Sequence, residues 1–418
     1  MCCNGWRENT LGQVYEFSSG LSKNAKEFGF GFPFLSFKTV FNNYFIPEEI
    51  CDLANTTEKE REKCSVKKGD VFLTRTSESL DELGMSCVAL KDYQQATFNG
   101  FTKRLRPKNP EIINPKFTGY YFRSPRFRLA VTSMASMTTR ASLNNDMLSR
   151  LPILIPPISE QVAIADILYS LDKKIELNNR INKILEEMAQ AIFKSWFVGF
   201  EPFQEEEFED SELGRIPKGW RVGTVSDLGD VIGGSTPSKS KSEYYTDQGI
   251  AWITPKDLSI NKDKFISKGE IDITESGLKN SSAKIMPKGT VLFSSRAPIG
   301  YIAIAKNDVA TNQGFKSVVP KNNIGTAYVY YFLKNNIEVI ENRATGSTFK
   351  EVSGAIMKQI PAIIPNDKIL SEFQSMCDLY FNKQLLLEEQ NQNLTAIRNS
   401  LLPKLISGEI RVPLEEVQ

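Results

Sequence analysis

The chain has 418 residues, of which 41 % are hydrophobic and 24 % charged, with a net charge of +1 and no histidine. That length leaves room for two or three domains with cores of their own, and no stretch approaches the roughly 20 apolar residues of a membrane span. Without histidine the commonest metal ligand and the commonest general base near neutral pH are missing. Cys2, Cys3, Cys51, Cys64, Cys87 and Cys377 also offer no CxxC spacing for zinc or redox chemistry.

The N-terminus, MCCNGWREN, has no basic segment ahead of an apolar one, so no secretory signal is read there and reduced thiols in a cytoplasmic protein are expected. Along the chain, short strands are predicted at Val71-Phe72-Leu73 and over residues 85–90, where apolar runs are bounded by glycine and polar residues. A cationic stretch follows, with Lys103, Arg104, Arg106, Lys108, Lys116, Arg123, Arg126 and Arg128 against the single acid Glu111. The periodicity of residues 117–130 predicts a helix. Phe101, Tyr120, Tyr121 and Phe122 are read as core rather than as a platform for unpaired bases.

After Pro156-Pro157, Ser159 is the expected N-cap of a long helix, with Glu160 in the first turn where the helix dipole favours an acid. Spacing by seven gives Ile164, Leu171, Asn178, Leu185 and Ile192, while the set Ile167, Lys174, Ile181, Met188 and Ser195 is only partly apolar. An acid run from Glu201 to Glu212 reads as a solvated linker.

Then the chain repeats itself. Trp6-Arg7 recurs as Trp220-Arg221, Gly20 as Gly234, Lys68-Gly69-Asp70-Val71 as Lys288-Gly289-Thr290-Val291, and Gly84 as Gly300. Gly100-Phe101 recurs as Gly314-Phe315, Tyr121-Phe122 as Tyr331-Phe332, and Leu151-Pro152 with Ile155-Pro156 as Ile360-Pro361 with Ile364-Pro365. An ordered series of this kind implies a duplicated domain rather than a solenoid of short repeats. Strands at Val291-Leu292-Phe293 and residues 301–305 and a helix over residues 327–340 mirror the first copy. A second long helix carries Phe373, Tyr380, Leu387, Leu394 and Leu401 at heptad spacing, and is expected to kink or stop near Pro403.

The expected fold is α+β: two pseudo-symmetric mixed α/β domains separated by two long helices paired as an antiparallel coiled coil. Ile164, Leu171, Leu185 and Ile192 would face Phe373, Tyr380, Leu387, Leu394 and Leu401. The expected boundaries are residues 1–155 for the first domain, 156–200 for the first helix, 201–216 for the acidic linker, 217–364 for the second domain, and 365–418 for the second helix and tail.

Residues 156–203, PPISEQVAIADILYSLDKKIELNNRINKILEEMAQAIFKSWFVGFEPF, closely resemble the central conserved region of type I restriction-modification specificity subunits. RNSLLPKLISGEIRV, from Arg398, is similar to their distal conserved region, and GGSTPSKSKSEYY, WITPKDL and LFSSRAPIG are similar to segments of their target-recognition domains. Two departures stand out: the Ser-Glu-Gln opening of the first helix is replaced near Asp367, and the first domain has SSGLS where a GGTP-like stretch would fall.

The resemblance implies a non-catalytic, cytoplasmic, prokaryotic subunit that binds double-stranded DNA. It further implies recruitment of two methyltransferase subunits and of restriction subunits, which would use S-adenosylmethionine, ATP and Mg. The residues agree, because neither a GxxxxGK[ST] loop nor an Asn-Pro-Pro-aromatic or Asp-Pro-Pro-aromatic motif is present. Phosphate affinity falls to Lys and Arg, and base reading to side chains that reach base edges. For the first domain the candidates are Arg75, Lys103, Arg104, Arg106, Thr138, Thr139 and Arg140. For the second they are Ser238, Lys239, Lys241, Arg296, Lys316, Ser347, Thr348 and Lys350. The competing functions are an enzyme with an unrecognised methyltransferase or nuclease site, and a coiled-coil protein adaptor.

Overall fold

A computed structural model describes residues 5–137, 141–346 and 350–413. The chain divides into two compact units, one of Met1–Ile175 with Gln392–Gln418 and the other of Glu176–Asn391. Both divisions fall inside a long helix. The first helix, α1, spans Ile158–Phe197 and the second, α2, spans Asp367–Ser407, so each unit is a domain together with one end of each helix. This differs from the expected boundaries, which assigned each helix a segment of its own.

In the first unit Tyr15–Ser19, Thr102–Pro107, Val71–Thr74 and Ser86–Val88 form an antiparallel four-stranded sheet in that order. Arg7–Thr10 pairs with Pro152–Ile155, Arg7 opposite Ile155. The second unit repeats the plan: Gly229–Gly233, Lys316–Pro320, Val291–Ser295 and Ile299–Ala305 lie in the same order, extended by Phe265–Ile266. Arg221–Thr224 pairs with Pro361–Ile364, Arg221 opposite Ile364. The repeated dipeptides of the sequence are therefore the two ends of one strand pair, made twice.

The shared glycines have steric reasons. A Cβ on Gly20 would collide with the carbonyl oxygens of Phe98 and Asn99, and one on Gly234 with those of Thr311 and Asn312. Gly69 and Gly289 both hold φ at +87°, which disfavours any side chain.

The helix expected at residues 117–130 is two, Pro115–Tyr121 and Pro125–Met134, and that at 327–340 is also two, Thr326–Asn335 and Ile337–Asn342. In the first pair Pro125 starts a new helix capped by Ser124, whose hydroxyl accepts from the Phe127 amide. The expected acidic linker contains a hairpin, Phe208–Ser211 with Gly214–Pro217, and buries Phe203 and Ile216 in the second core. Its acids find cations on the opposite strand or just beyond it: Glu207 pairs with Lys218 and Asp210 with Arg215.

Helix α1 begins at Ile158, with the Glu160 and Gln161 amides both bonded to the Pro157 carbonyl at 3.0 Å. Ser159 is thus inside the first turn and not the cap. Gln161, fully buried, anchors this end: Oε1 accepts from the Asn114 amide and Nε2 donates to the Ile112 and Pro156 carbonyls, each at 2.9 Å. The start of α2 lacks that glutamine. There Asn366 caps the Ile369 amide (3.0 Å), and Gln374, farther along, accepts from the Ala327 amide (2.9 Å).

Within each unit the two helices run antiparallel. In the first, Asp172 meets Arg398 at 2.6 Å. In the second, Asn178 donates to Gln390 and Asn391 (2.8 and 2.9 Å), Gln384 donates to the Asn182 carbonyl (3.0 Å), and Phe197 packs edge-on against Phe373. Of the expected pairing residues, Ile164, Phe373 and Leu387 are buried, while Leu171, Leu185, Ile192, Tyr380, Leu394 and Leu401 are half-buried.

The second stripe of α1 sits one residue later than the spacing suggested. Leu168, Ile175, Asn182, Ala189 and Trp196 face inward, and Lys174 and Met188 are exposed. Across from α1, Gln384 meets Asn182, Asn391 meets Asn178 and Asn179, and Arg398 meets Asp172, so the contacts between the helices include a run of polar residues. Such residues fix register at some cost in stability.

Helix α2 does not stop at Pro403 but runs on to Ser407. An interior proline costs about 3 kcal/mol. Beyond it, Leu405 and Ile406 are buried in the first core beside Leu402, and each such side chain contributes roughly 1.5–3 kcal/mol, so packing outweighs the proline. Among the described residues no helix is long and apolar enough to cross a membrane.

Candidate nucleic-acid interface

The cationic stretch of the first unit begins on the strand Thr102–Pro107, second in its sheet, which carries Lys103, Arg104 and Arg106. Alternation sends Leu105 into the core and Arg104 and Arg106 to the opposite face. Arg104 is 8 % exposed; its Nη1 donates to the Ser65 carbonyl (2.7 Å) and to that of Lys63 (3.3 Å). Arg106 grips Asp70 bidentately, Nε at 2.7 Å and Nη2 at 2.6 Å, and the Asp70 bond pushes the guanidinium pKa up. Farther on, Arg123 collects the carbonyls of Ser86, Val40, Phe41 and Asn43 at 2.6–2.9 Å. Arg128 holds those of Leu83 and Asp81.

Of the DNA-contact candidates, Arg104 and Arg106 thus have their guanidinium donors engaged within the chain. A guanidinium carries five donors, and the long connections between short strands carry carbonyls with no ladder partner, which must be satisfied when buried. These arginines staple the connections in place.

Two candidates in this unit differ. Lys103 is 7 % exposed and donates to the Ser19 hydroxyl (2.8 Å); burial, and then the charge of Arg75, lower its pKa. Arg75 follows the strand Val71–Thr74, and its amide donates to the Phe101 carbonyl (3.0 Å). Among the described residues its side chain has no ion pair and no hydrogen bond, although its Nε is shut off from solvent. Thr138, Thr139 and Arg140 lie outside the described residues.

In the second unit the structure brings Arg296 and Lys316 together on Glu351, at 3.4 and 3.3 Å. Lys350 is exposed beside it, and Ser347 and Thr348 lie outside the described residues. The other candidates sit on a loop ahead of the short helical turn Ser242–Tyr244. Ser238 and Lys239 are exposed, Ser238 bonds Ser240 (2.8 Å), and Lys241 lies over the Tyr244 ring with Nζ donating to its hydroxyl (3.1 Å).

That loop is fixed by the Trp252 indole, which donates to the Ser235 carbonyl (3.0 Å), and by the Tyr245 hydroxyl, which donates to that of Pro237 (2.6 Å). A cleft results, lined by Thr236, Lys239, Trp252, Asn312 and Gln313. The Thr236 hydroxyl bonds the Gln313 amide. Asn and Gln are the residue types suited to adenine edges, yet Asn312 and Gln313 were absent from the sequence candidates. Their position just before the repeated Gly314-Phe315 was the available signal.

A third polar group lies where the helices meet the second domain. Lys264, 5 % exposed at its side chain, pairs with Glu186 and donates to Gln384 (2.6 Å) and Tyr331 (3.1 Å), and Lys334 also reaches Glu186 (2.5 Å). Burial pulls the Glu186 pKa up, but the two lysines outweigh it and the net direction is down. Glu388 accepts from the amides of Lys264 and Phe265 (2.8 and 3.2 Å), and burial pushes it up to about 7.

The family model described as "Type I restriction modification DNA specificity domain" matches residues 4–187 and again 217–395. The chain is 27 % identical to the HindI specificity subunit of Haemophilus influenzae, with 97 % of this chain and 99 % of that protein aligned. To the MjaIX specificity subunit of Methanocaldococcus jannaschii it is 43 % identical, but that match takes in 46 % of this chain and only 45 % of that protein. In fold it is similar to the S subunit of a type I restriction-modification system from M. genitalium, with a TM-score of 0.59, 17 % identity and 97 % of each chain covered. With both halves matched in the order in which the sheet plan repeats, the chain belongs to the family of type I restriction-modification DNA specificity domains.

Proposed function

We propose that this chain is the DNA-reading, non-catalytic subunit of a type I restriction-modification complex, with each unit reading one half of a divided target. The observation that carries this reading is the double family match over two units of the same sheet plan. The polar groups at equivalent positions differ: Glu351 pairs in the sheet opposite Arg296, where Ser142 is opposite Thr76. On this reading the two half-sites differ in sequence and the target is not palindromic. Phosphate contacts supply most of the affinity and make it fall steeply with salt, while side chains at base edges select the sequence. Methylation and cleavage belong to recruited subunits, two methyltransferases and the restriction subunits, which use S-adenosylmethionine, ATP and Mg.

Mapping methylated adenines across the genome of cells carrying the intact system tests this. The expected result is one bipartite motif with an unread gap. Replacing residues 1–155 by another recognition domain should change one half of that motif and leave the gap alone. Methylation or cleavage by the purified chain without partners, or a swap that alters both halves, would overturn the reading.

A further inference from the structure

The turn at residues 99–102 of the first unit carries an aromatic ring that the core does not take. Phe101 is 53 % exposed, whereas its counterpart in the repeat, Phe315, is fully buried. Single exposed hydrophobics are ordinary; the surroundings of this one are not.

Its backbone is fixed from both sides. The Phe101 amide donates to Asn99 Oδ1 (2.7 Å), its carbonyl accepts from the Arg75 amide (3.0 Å), and the Thr102 amide and hydroxyl both bond the Asn99 carbonyl (3.0 and 2.7 Å). Gly100 is packed so closely that a Cβ would lie 2.6 Å from Ser22 Oγ. The ring is thus presented on a rigid support.

Among the described residues the guanidinium of Arg75, whose amide is bonded to that same carbonyl, has no hydrogen-bond or ion-pair partner, whereas those of Arg104, Arg106, Arg123 and Arg128 have theirs. The strand pairing sets Thr74 opposite Thr102 and Leu73 opposite Lys103, so the second cation flanks the first. Among the described residues no acid pairs with either of them, and the Arg75 charge acts directly on Lys103; two like charges so placed cost free energy. The second unit avoids that cost by placing Glu351 between Arg296 and Lys316. In the first unit the sheet position of Glu351 is held by Ser142. The first unit is built to receive a negative or acceptor-rich group from outside, next to an apolar ring.

Resting on the DNA-reading function above, we infer that Arg75 and Phe101 are a specificity-determining pair of the first unit: the guanidinium takes a pair of acceptors on duplex DNA, and the ring covers the apolar surface of the neighbouring nucleotide. The acceptors are the O6 and N7 of a guanine or the oxygens of a phosphate, both suited to a planar fork of donors.

The test uses the full chain assembled with its methyltransferase subunits, binding a fluorescent duplex that carries the mapped target. Arg75→Ala should weaken binding roughly 10- to 100-fold, and Arg75→Lys should recover little, since an ammonium cannot make the bidentate contact. If the partner is guanine, Arg75→Ala also erases the preference at one base pair of one half-site. If it is phosphate, all duplexes weaken alike and the salt slope falls by about one. Phe101→Ala should weaken binding several-fold at unchanged salt slope, with Phe101→Leu in between. Thermal melting of each variant chain checks folding, which the exposure of Phe101 protects. Variants that melt like wild type and bind within twofold of it would overturn the inference while leaving the DNA-reading function standing. A wild-type complex with no preference among duplexes would overturn both.

Discussion

The two tryptophans that open the repeated domains occupy the same place and are satisfied by different means. Trp6 donates its indole N–H to Oε2 of buried Glu160 (2.8 Å), and Arg411, from the tail after α2, grips both oxygens of that carboxylate. Among the described residues the Trp220 indole N–H has no hydrogen-bond partner. Its ring lies among Phe197, Phe200 and Phe203, at 5.9, 5.7 and 5.2 Å, all from the end of α1 and the turn after it. In both units the end of the other domain's helix closes the core over the tryptophan, once with a carboxylate and a guanidinium and once with rings. Duplication preserved the large side chain at the joint and left its chemistry free to diverge, because burial needs volume while a polar contact needs only that each buried donor or acceptor be paired.

This contrast can be broken from either side. The largest effect is expected at the aromatic joint: Phe197→Ala, which strips contacts from Trp220, Tyr328 and Phe373, should cost about 3–5 kcal/mol, read as a shift of the second unit's transition in a urea melt. At the polar joint, Glu160→Ala removes the acceptor of both Trp6 and Arg411. Breaking a buried pair costs about 3–5 kcal/mol. Because Arg411 is 46 % exposed at its side chain and water can take up its charge, about 2–3 kcal/mol is expected, confined to the first unit's transition. Equal losses in both transitions would deny the separate joints.

A smaller effect sharpens the comparison through pH. Burial pushes Glu388 of the second unit up to about 7 from the ordinary 4.5 of a glutamate, so between these values the native state holds a proton that the unfolded state has lost. Stability of that unit must then fall as pH rises from about 4.5 to 7, by an amount on the order of 2–3 kcal/mol. Glu388→Gln removes the titration, so the variant should gain on wild type as pH goes from 5 to 8. A constant difference over that range would refute this assignment.

The aromatic core and the repeat were legible in the sequence because they are patterns of burial and of space. Tyr120, Tyr121 and Phe122 are core, as read, and Phe101 is the exception. The matched glycines are those that neighbouring atoms crowd or that hold positive φ. The long helices announced themselves by heptad spacing, but with one stripe alone the position of the second could not be chosen. Lys174 and Met188 were placed in it where Ile175 and Ala189 belong.

The cations were the hardest to read. Eight lysines and arginines in a short stretch looked like a surface, and four of them, Arg104, Arg106, Arg123 and Arg128, send donors to carbonyls of Val40, Asn43, Ser65, Leu83 and Ser86 or to Asp70. Composition and spacing alone determined that the chain is a duplicated α+β protein with two long helices, because hydrophobic periodicity and steric exclusion are local to the sequence. Which cation is a staple, which is neutralised by Glu351 and which, as at Arg75, has no partner among the described residues was decided by the tertiary structure. The reason is that a charge is spent or free according to the acceptors brought to it from distant parts of the chain.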